Sequence, residues 1–189
     1  MVIIIGAESM TGKTLMAQKL LETYKIPYMS IDHLKMGLYR ANINCGFHPE
    51  DPNEKIEKLL WPILKGIIET NIENNQNIII EGCYIFPCRV NELSNEYKKH
   101  IIPVFMGFSK LYLENNFDSG VLEYKSVIEV REYDDERPLE YFIHAHKKMK
   151  TMCTESNIQY FEINNDYEHE TEKIYRWVDL EIERFKNLV

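Results

Sequence analysis

Five short apolar runs alternate along the chain with longer segments whose apolar residues recur at helical spacing. The runs cover residues 2–5, 26–31, 77–82, 101–108 and 158–163. Continuous apolar, often β-branched runs of this length are typical of strands buried on both faces of a parallel sheet. Strands that alternate with helices predict an α/β fold with right-handed crossovers. Ligands bind such sheets at the carboxyl ends of the strands.

The intervening segments predict helices. We place them at residues 15–24, 32–41, 54–74, about 90–97, 110–117, 138 to about 155, and 167–188. Pro62 lies inside the third segment, so we expect it to bend that helix or divide it. The apolar spacing of the sixth segment predicts that His146 faces the core.

The first run leads into a candidate phosphate-binding loop and then into a helix. The residues that we expect to bind nucleotide are Gly6, Ala7, Glu8, Ser9, Met10, Thr11, Gly12, Lys13, Thr14 and Leu15. Strand, loop, Gly-Lys-Thr and helix is the arrangement of a P-loop, whose backbone N–H groups bind phosphate. In it Lys13 would reach the β- and γ-phosphates, and the Thr14 hydroxyl would bind Mg²⁺.

The motif departs from G-x-x-x-x-G-K-[ST] at its first glycine. Counting back from Gly12 places Ala7 there, with Gly6 one residue early. The alternative interpretation is an ordinary strand, turn and helix with a surface lysine at position 13.

Two acids follow predicted strands. Asp32 could orient or deprotonate an acceptor hydroxyl, or it could cap the helix that it precedes. Glu81 could contact metal, water or substrate, or it could be a solvated acid at a strand end. Both are therefore candidate acceptor-binding residues, and Glu81 is a candidate metal ligand.

Arginines provide further candidates. Arg131 and Arg137 lie in a charged segment, residues 118–138, that could close as a lid and bring a guanidinium to the γ-phosphate. The alternative is a solvated face in which they pair with nearby acids. Arg40 and Arg89 are weaker candidates for binding an anionic acceptor.

Composition narrows the range of partners. The 189 residues fit one domain, and the net charge of −8 disfavours nonspecific binding to nucleic acid or to an anionic membrane. The four cysteines lack C-x-x-C spacing, so we expect no zinc site and no disulfide framework. We expect a cytoplasmic monomer or homodimer.

With these residues in view, the chain resembles the P-loop small-molecule kinases, which include nucleotide, shikimate and gluconate kinases and zeta toxins. Residues 26–32 with Leu38-Tyr39-Arg40 are similar to 2-phosphoglycerate-kinase-like proteins, as is the E-G-x-x-x-x-P stretch at 81–87. The resemblance implies a three-layer fold with a five-stranded parallel sheet in the order 2-3-1-4-5. It also implies acceptor-binding helices within about 32–75, a lid within about 118–138, and an adenine-contacting loop with Asn165 and Asp166.

The sequence therefore predicts a phosphotransferase that uses ATP and Mg²⁺ to phosphorylate a hydroxyl or phosphate group of a small molecule. One alternative is a nucleotide-binding switch that transfers nothing to a small molecule. A GTPase version is disfavoured because the chain has neither N-K-x-D nor D-x-x-G after a strand. Another alternative is a zeta-toxin-like kinase that phosphorylates a nucleotide sugar.

Overall fold

The structure is a computed structural model that describes residues 1–123, 128 and 137–187. Its centre is a five-stranded sheet in the order β2-β3-β1-β4-β5. Every paired strand is parallel to its neighbour, which confirms the predicted fold class. The strands are β1 (Val2–Gly6), β2 (Tyr28–Ser30), β3 (Ile78–Gly82), β4 (Ile101–Phe108) and β5 (Tyr160–Ile163).

Helices connect the strands. They are α1 (Lys13–Tyr24), α2 (Ile31–Ala41), α3 (Asn53–Glu73), α4 (Pro87–Glu92), α5 (Asn95–Lys98), α6 (Lys110–Asn116), α7 (Leu139–Glu155) and α8 (Tyr167–Lys186). A π-helical segment, Phe117–Leu122, follows α6 directly. In the part of the chain that the structure describes, no helix is both long and apolar enough to cross a membrane.

The sheet is covered on both faces, as the continuous apolar strands predict. Along β1, Val2 and Ile4 face α3 and α7, whereas Ile3 and Ile5 face α1 and α8. All four side chains are fully buried. A third apolar cluster, which includes Phe108, joins α6, the π-helical segment and α7 at the carboxyl end of β4. The carboxyl ends of the strands thus lie between packed helices.

Two features of the helices differ from prediction. Of the two effects predicted for Pro62, a division of α3 is wrong because the helix continues from residue 53 to 73, and a bend stays a prediction. Pro62 is on the exposed face, where water can hydrogen-bond the helix carbonyl that loses its N–H partner. The single helix predicted at about 90–97 is two short helices, because Leu93 is extended and the Ser94 hydroxyl caps α5.

The predicted lid is described only in part. Its first residues form the π-helical segment, and Arg137 and Pro138 precede α7. Arg131 lies outside the described residues, so its predicted role stays a prediction.

Candidate active site

The loop between β1 and α1 has the backbone of an anion-binding site. Gly12 has a φ of +84° and precedes α1 directly, and Met10 has a φ of +60°. Among the described residues, the backbone N–H groups from Met10 to Thr14 have no hydrogen-bond acceptor. The first N–H groups of a helix, together with its dipole, attract anions. Lys13 begins α1 and is only 5% exposed, so its positive charge lies within this loop.

Packing explains both glycines of the motif. A Cβ on Gly6 would collide with the ring of Phe105, so glycine is needed where β1 passes β4. Ala7, at the first position of the motif, is fully buried. A Cβ on Gly12 would collide with the Tyr167 hydroxyl, in addition to the strain of a positive φ. The loop therefore tolerates alanine at position 7 but requires glycine at position 12.

Glu8 places a carboxylate inside the loop. Its side chain accepts a hydrogen bond of 2.9 Å from the Ser9 N–H and lies 3.7 Å from Nη1 of Arg137. The guanidinium of Arg137 also lies over the Tyr141 ring, 4.6 Å from its centre. The structure thus brings Arg137 to the loop, whereas sequence reasoning gave Glu8 no separate role.

A second charged group lies at the start of α2. Asp32 and Lys35 face the same side of this helix, with 3.0 Å between Oδ1 and Nζ. Lys35 also donates a 2.7 Å hydrogen bond to the Tyr84 hydroxyl, in the segment after β3. Burial, together with Cys83 and Asp32, raises the pKa of Tyr84, so the phenol stays neutral. Lys35 and Tyr84 were missed because their contact joins positions 49 residues apart.

Glu81 is fully buried at the end of β3. It pairs in register with Ser30 of β2 and Ile5 of β1. Because side chains of register partners share a face, Glu81 and Ser30 point to the side of the sheet that α1 covers. The buried Ser30 hydroxyl has no hydrogen-bond partner among the described residues. Two buried oxygen-bearing side chains therefore lie side by side on the face that carries the phosphate loop.

A cavity of about 760 Å³ adjoins the loop between β1 and α1. Its walls come from the start of α1, from α6 with the π-helical segment, and from the first turns of α8. Aromatic side chains on these walls include Phe108, Tyr112, Tyr167 and Tyr175. Flat apolar walls beside polar groups suit a planar heterocycle such as a nucleobase.

The predicted adenine-contacting residues lie just before this cavity. Asp166 caps α8 by accepting a hydrogen bond from the His169 N–H, and the Asn165 N–H donates to Glu170. The described wall of the cavity instead includes Tyr167, the residue after Asp166, and Thr171, about one helical turn beyond Tyr167. Roles for Asn165 and Asp166 in nucleotide binding stay predictions.

The structure separates the two weaker arginine candidates from Asp32. Arg40 is exposed near the end of α2. Arg89 binds Glu57 through two hydrogen bonds, of 2.5 and 3.0 Å, and Glu92 through a third of 2.5 Å. Glu57 is only 2% exposed. Arg89 therefore joins α4 to α3, and this contact accounts for its position without a substrate.

No family model and no curated protein matches the sequence. Solved structures do match. Shikimate kinase from Bacteroides thetaiotaomicron superposes with a TM-score of 0.55 at 14% identity, covering 94% of this chain and 98% of that one. Shikimate kinase from Aquifex aeolicus also gives 0.55, at 15% identity, with 95% and 96% covered. A sugar kinase from a Janibacter species gives 0.53 at 11% identity, with 94% of both chains covered.

These similarities, together with the strand order and the loop geometry, define the fold. The protein has the fold of the P-loop small-molecule kinases. At such low identity the comparison gives no acceptor, so the chemistry has to be argued from the site itself.

Proposed function

We propose that the protein is an ATP-dependent phosphotransferase whose acceptor is a small molecule with a hydroxyl or phosphate group. The observation that carries the proposal is the loop from Met10 to Thr14. Its N–H groups have no acceptor among the described residues, and its buried Lys13 lines the cavity with aromatic walls. A polyphosphate bound there would bridge a donor site and an acceptor site.

In this proposal each charged side chain has a distinct task. Lys13 and the loop amides would stabilise the charge that develops on the transferring phosphoryl oxygens. Asp32 would accept a hydrogen bond from the acceptor hydroxyl and hold it in line with the γ-phosphate. Arg137, already beside the loop through Glu8, would neutralise charge at the γ-phosphate. Arg131 remains a second candidate for that task.

The residues present fit a Mg²⁺ ion that accompanies ATP. Mg²⁺ in kinases is held through one or two protein oxygens, with phosphate oxygens and water completing its octahedron. Thr14 would supply a hydroxyl, and Glu81 a carboxylate directly or through water. The buried Ser30 hydroxyl, which has no hydrogen-bond partner among the described residues, supports a further polar ligand or water here. The ion would supply positive charge that offsets the negative charge of the phosphates.

Acceptor-dependent ADP release tests the proposal. Purified protein with MgATP is screened against sugars, nucleosides, nucleotides and phosphoglycerates, with phosphorylated product identified by mass spectrometry. We expect at least one class of acceptor to stimulate ADP release well above hydrolysis by water. Tight nucleotide binding with slow hydrolysis that no acceptor stimulates would instead indicate a nucleotide-binding switch.

The Asp32→Asn variant tests the assignment of the acceptor side. This change keeps the shape of the side chain but removes the charge that aligns the hydroxyl. We expect turnover to fall at least 100-fold while ATP affinity changes less than threefold. A selective loss of ATP binding would place Asp32 in the nucleotide site instead.

A further inference from the structure

Lys35 has a buried ammonium group next to Asp32, the residue proposed to bind the hydroxyl of the phosphoryl acceptor. The residue is 7% exposed, although it lies on the first turns of a surface helix. An ammonium has three N–H donors. One donates to the Tyr84 hydroxyl at 2.7 Å, and a second faces Asp32 Oδ1 at 3.0 Å. Among the described residues, no acceptor takes the third.

Burying this charge is costly, so its presence needs a reason. Replacing a buried ion pair with apolar side chains is often neutral or stabilising, which means that such a pair is weak evidence for a stabilising role. The side chain of Asp32 is 35% exposed, against 9% for that of Lys35. The pair is thus open to a ligand on the side of Asp32.

We propose that Lys35 is a specificity-determining residue that donates a hydrogen bond to a second oxygen of the acceptor molecule. This oxygen is on the carbon next to the one that carries the reacting hydroxyl. The proposal rests on the proposed function. Asp32 would accept a hydrogen bond from the reacting hydroxyl, while Lys35 would donate one to the oxygen on the neighbouring carbon. Oxygens on adjacent carbons in a gauche arrangement lie about as far apart as the two atoms of a hydrogen bond. The Asp32–Lys35 separation of 3.0 Å matches that spacing.

The acceptor class follows from this geometry. It is a molecule with two oxygens on neighbouring carbons, of which at least one is a hydroxyl. A vicinal diol and an α-hydroxy carboxylate both satisfy the description, since an ammonium can donate to a hydroxyl or to a carboxylate oxygen. An analogue that lacks the second oxygen would leave a buried charged donor unpaired, and sites of this kind reject such analogues strongly.

Binding to matched compounds tests the proposal without requiring turnover. Isothermal titration with and without a non-hydrolysable ATP analogue compares glycerol with 1,3-propanediol, and lactate with 3-hydroxypropanoate. We expect the wild type to bind at least one vicinal compound at least tenfold more tightly than its partner. The pair that discriminates distinguishes a diol from an α-hydroxy acid.

The Lys35→Met variant keeps much of the side-chain volume and removes the donors. We expect it to bind the two members of the discriminating pair within threefold of each other, with its affinity for the ATP analogue unchanged. Lys58→Met is the matched control, since Lys58 is exposed on α3, and it should discriminate as the wild type does. If Lys35→Met does not fold, Lys35→Gln, which is neutral and shorter, takes its place with the same expected loss of discrimination.

Three results overturn the proposal: no vicinal compound binds, the wild type does not discriminate, or Lys35→Met discriminates as well as the wild type. Phosphoryl transfer to acceptors without such discrimination would leave the proposed function standing and remove only the role of Lys35. Conversely, discriminating acceptor binding by a protein that never binds the ATP analogue would support Lys35 and remove the proposed function.

Discussion

The carboxylate of Glu8 lies 3.7 Å from Nη1 of Arg137 and joins the candidate phosphate-binding loop to the segment just before α7. The contact is mostly buried on the side of Glu8, whose side chain is 9% exposed. It places two opposed charges where the γ-phosphate of ATP would bind. If Arg137 acts at the γ-phosphate as proposed, Glu8 would both position that cation and oppose the binding of a polyanion.

Glu8→Gln separates these two effects. Glutamine can still accept the hydrogen bond from the Ser9 N–H but carries no charge. We expect ATP to bind about fivefold more tightly, which corresponds to ~1 kcal/mol. Turnover should fall about tenfold because Arg137 is held less firmly. Calorimetry and steady-state kinetics measure the two changes, with Glu140→Gln as an exposed control. Weaker ATP binding in Glu8→Gln would contradict this reading.

Gly12→Ala should abolish nucleotide binding while the protein stays folded. Its φ of +84° strains any residue with a Cβ, and that Cβ would meet the Tyr167 hydroxyl. Gly37 offers a control, since nothing lies within 4 Å of a Cβ there. Gly37→Ala should stabilise α2 by ~1 kcal/mol. Calorimetry and urea denaturation compare the variants; undiminished ATP binding by Gly12→Ala would refute the predicted loop mechanism.

Arg89→Met should destabilise the protein without a direct effect on acceptor binding. It would leave the buried Glu57 carboxylate unpaired, at a cost of about 3 kcal/mol in the free energy of unfolding. The double variant Glu57→Leu/Arg89→Met should recover most of that loss and retain acceptor affinity. Arg176→Met, at an exposed ion pair, is the control. Loss of acceptor binding by the stable double variant would instead support the original prediction that Arg89 binds substrate.

His146 should make the protein sensitive to acid. Burial lowers the pKa of His146 from 6.5 to about 4, and its Nδ1 accepts a hydrogen bond from the Phe108 N–H. As pH falls below 6.5, the unfolded chain binds a proton that the folded protein excludes, so stability falls progressively until about pH 4. Because of His146, the free energy of unfolding should fall by ~3 kcal/mol over this pH range, at about 1.4 kcal/mol for each unit of the pKa difference.

A substitution isolates this effect from other titrating groups. His146→Asn should unfold more readily at pH 7 but lose less of its stability between pH 6.5 and 4 than the wild type does. Urea denaturation at a series of pH values measures the difference. His144→Asn, at an exposed position on the same helix, should follow the wild-type profile. If the stability of all three proteins depends equally on pH, His146 is not responsible for the loss of stability in acid.

Local sequence patterns were sufficient for the elements but not for all of their ends. All five strands and the helix with His146 inward are confirmed, because apolar periodicity records burial, although the edge strands β2 and β5 are only partly buried. The break between α4 and α5 was missed because the Ser94 cap competes with a continuous helix. The strand order came from the resemblance and not from the pattern of apolar residues.

The candidate site was predictable where its parts are close in sequence. The P-loop is contiguous, and strand ends indicate Asp32 and Glu81. The contacts of Glu8 with Arg137 and of Lys35 with Tyr84 join distant segments, so a single sequence gives no signal for either pair. The ion pair of Arg89 with the buried Glu57 was missed for the same reason, and the predicted role of Arg89 in binding substrate stays a prediction.

The most direct test of the central claim is calorimetric titration of MgATP into the wild type and Lys13→Ala, with Lys58→Ala as the control. The account predicts saturable binding by the wild type and the control. It also predicts at least tenfold weaker binding by Lys13→Ala, with an unchanged unfolding midpoint. Absence of binding by the wild type, or equal affinity in Lys13→Ala, would contradict it.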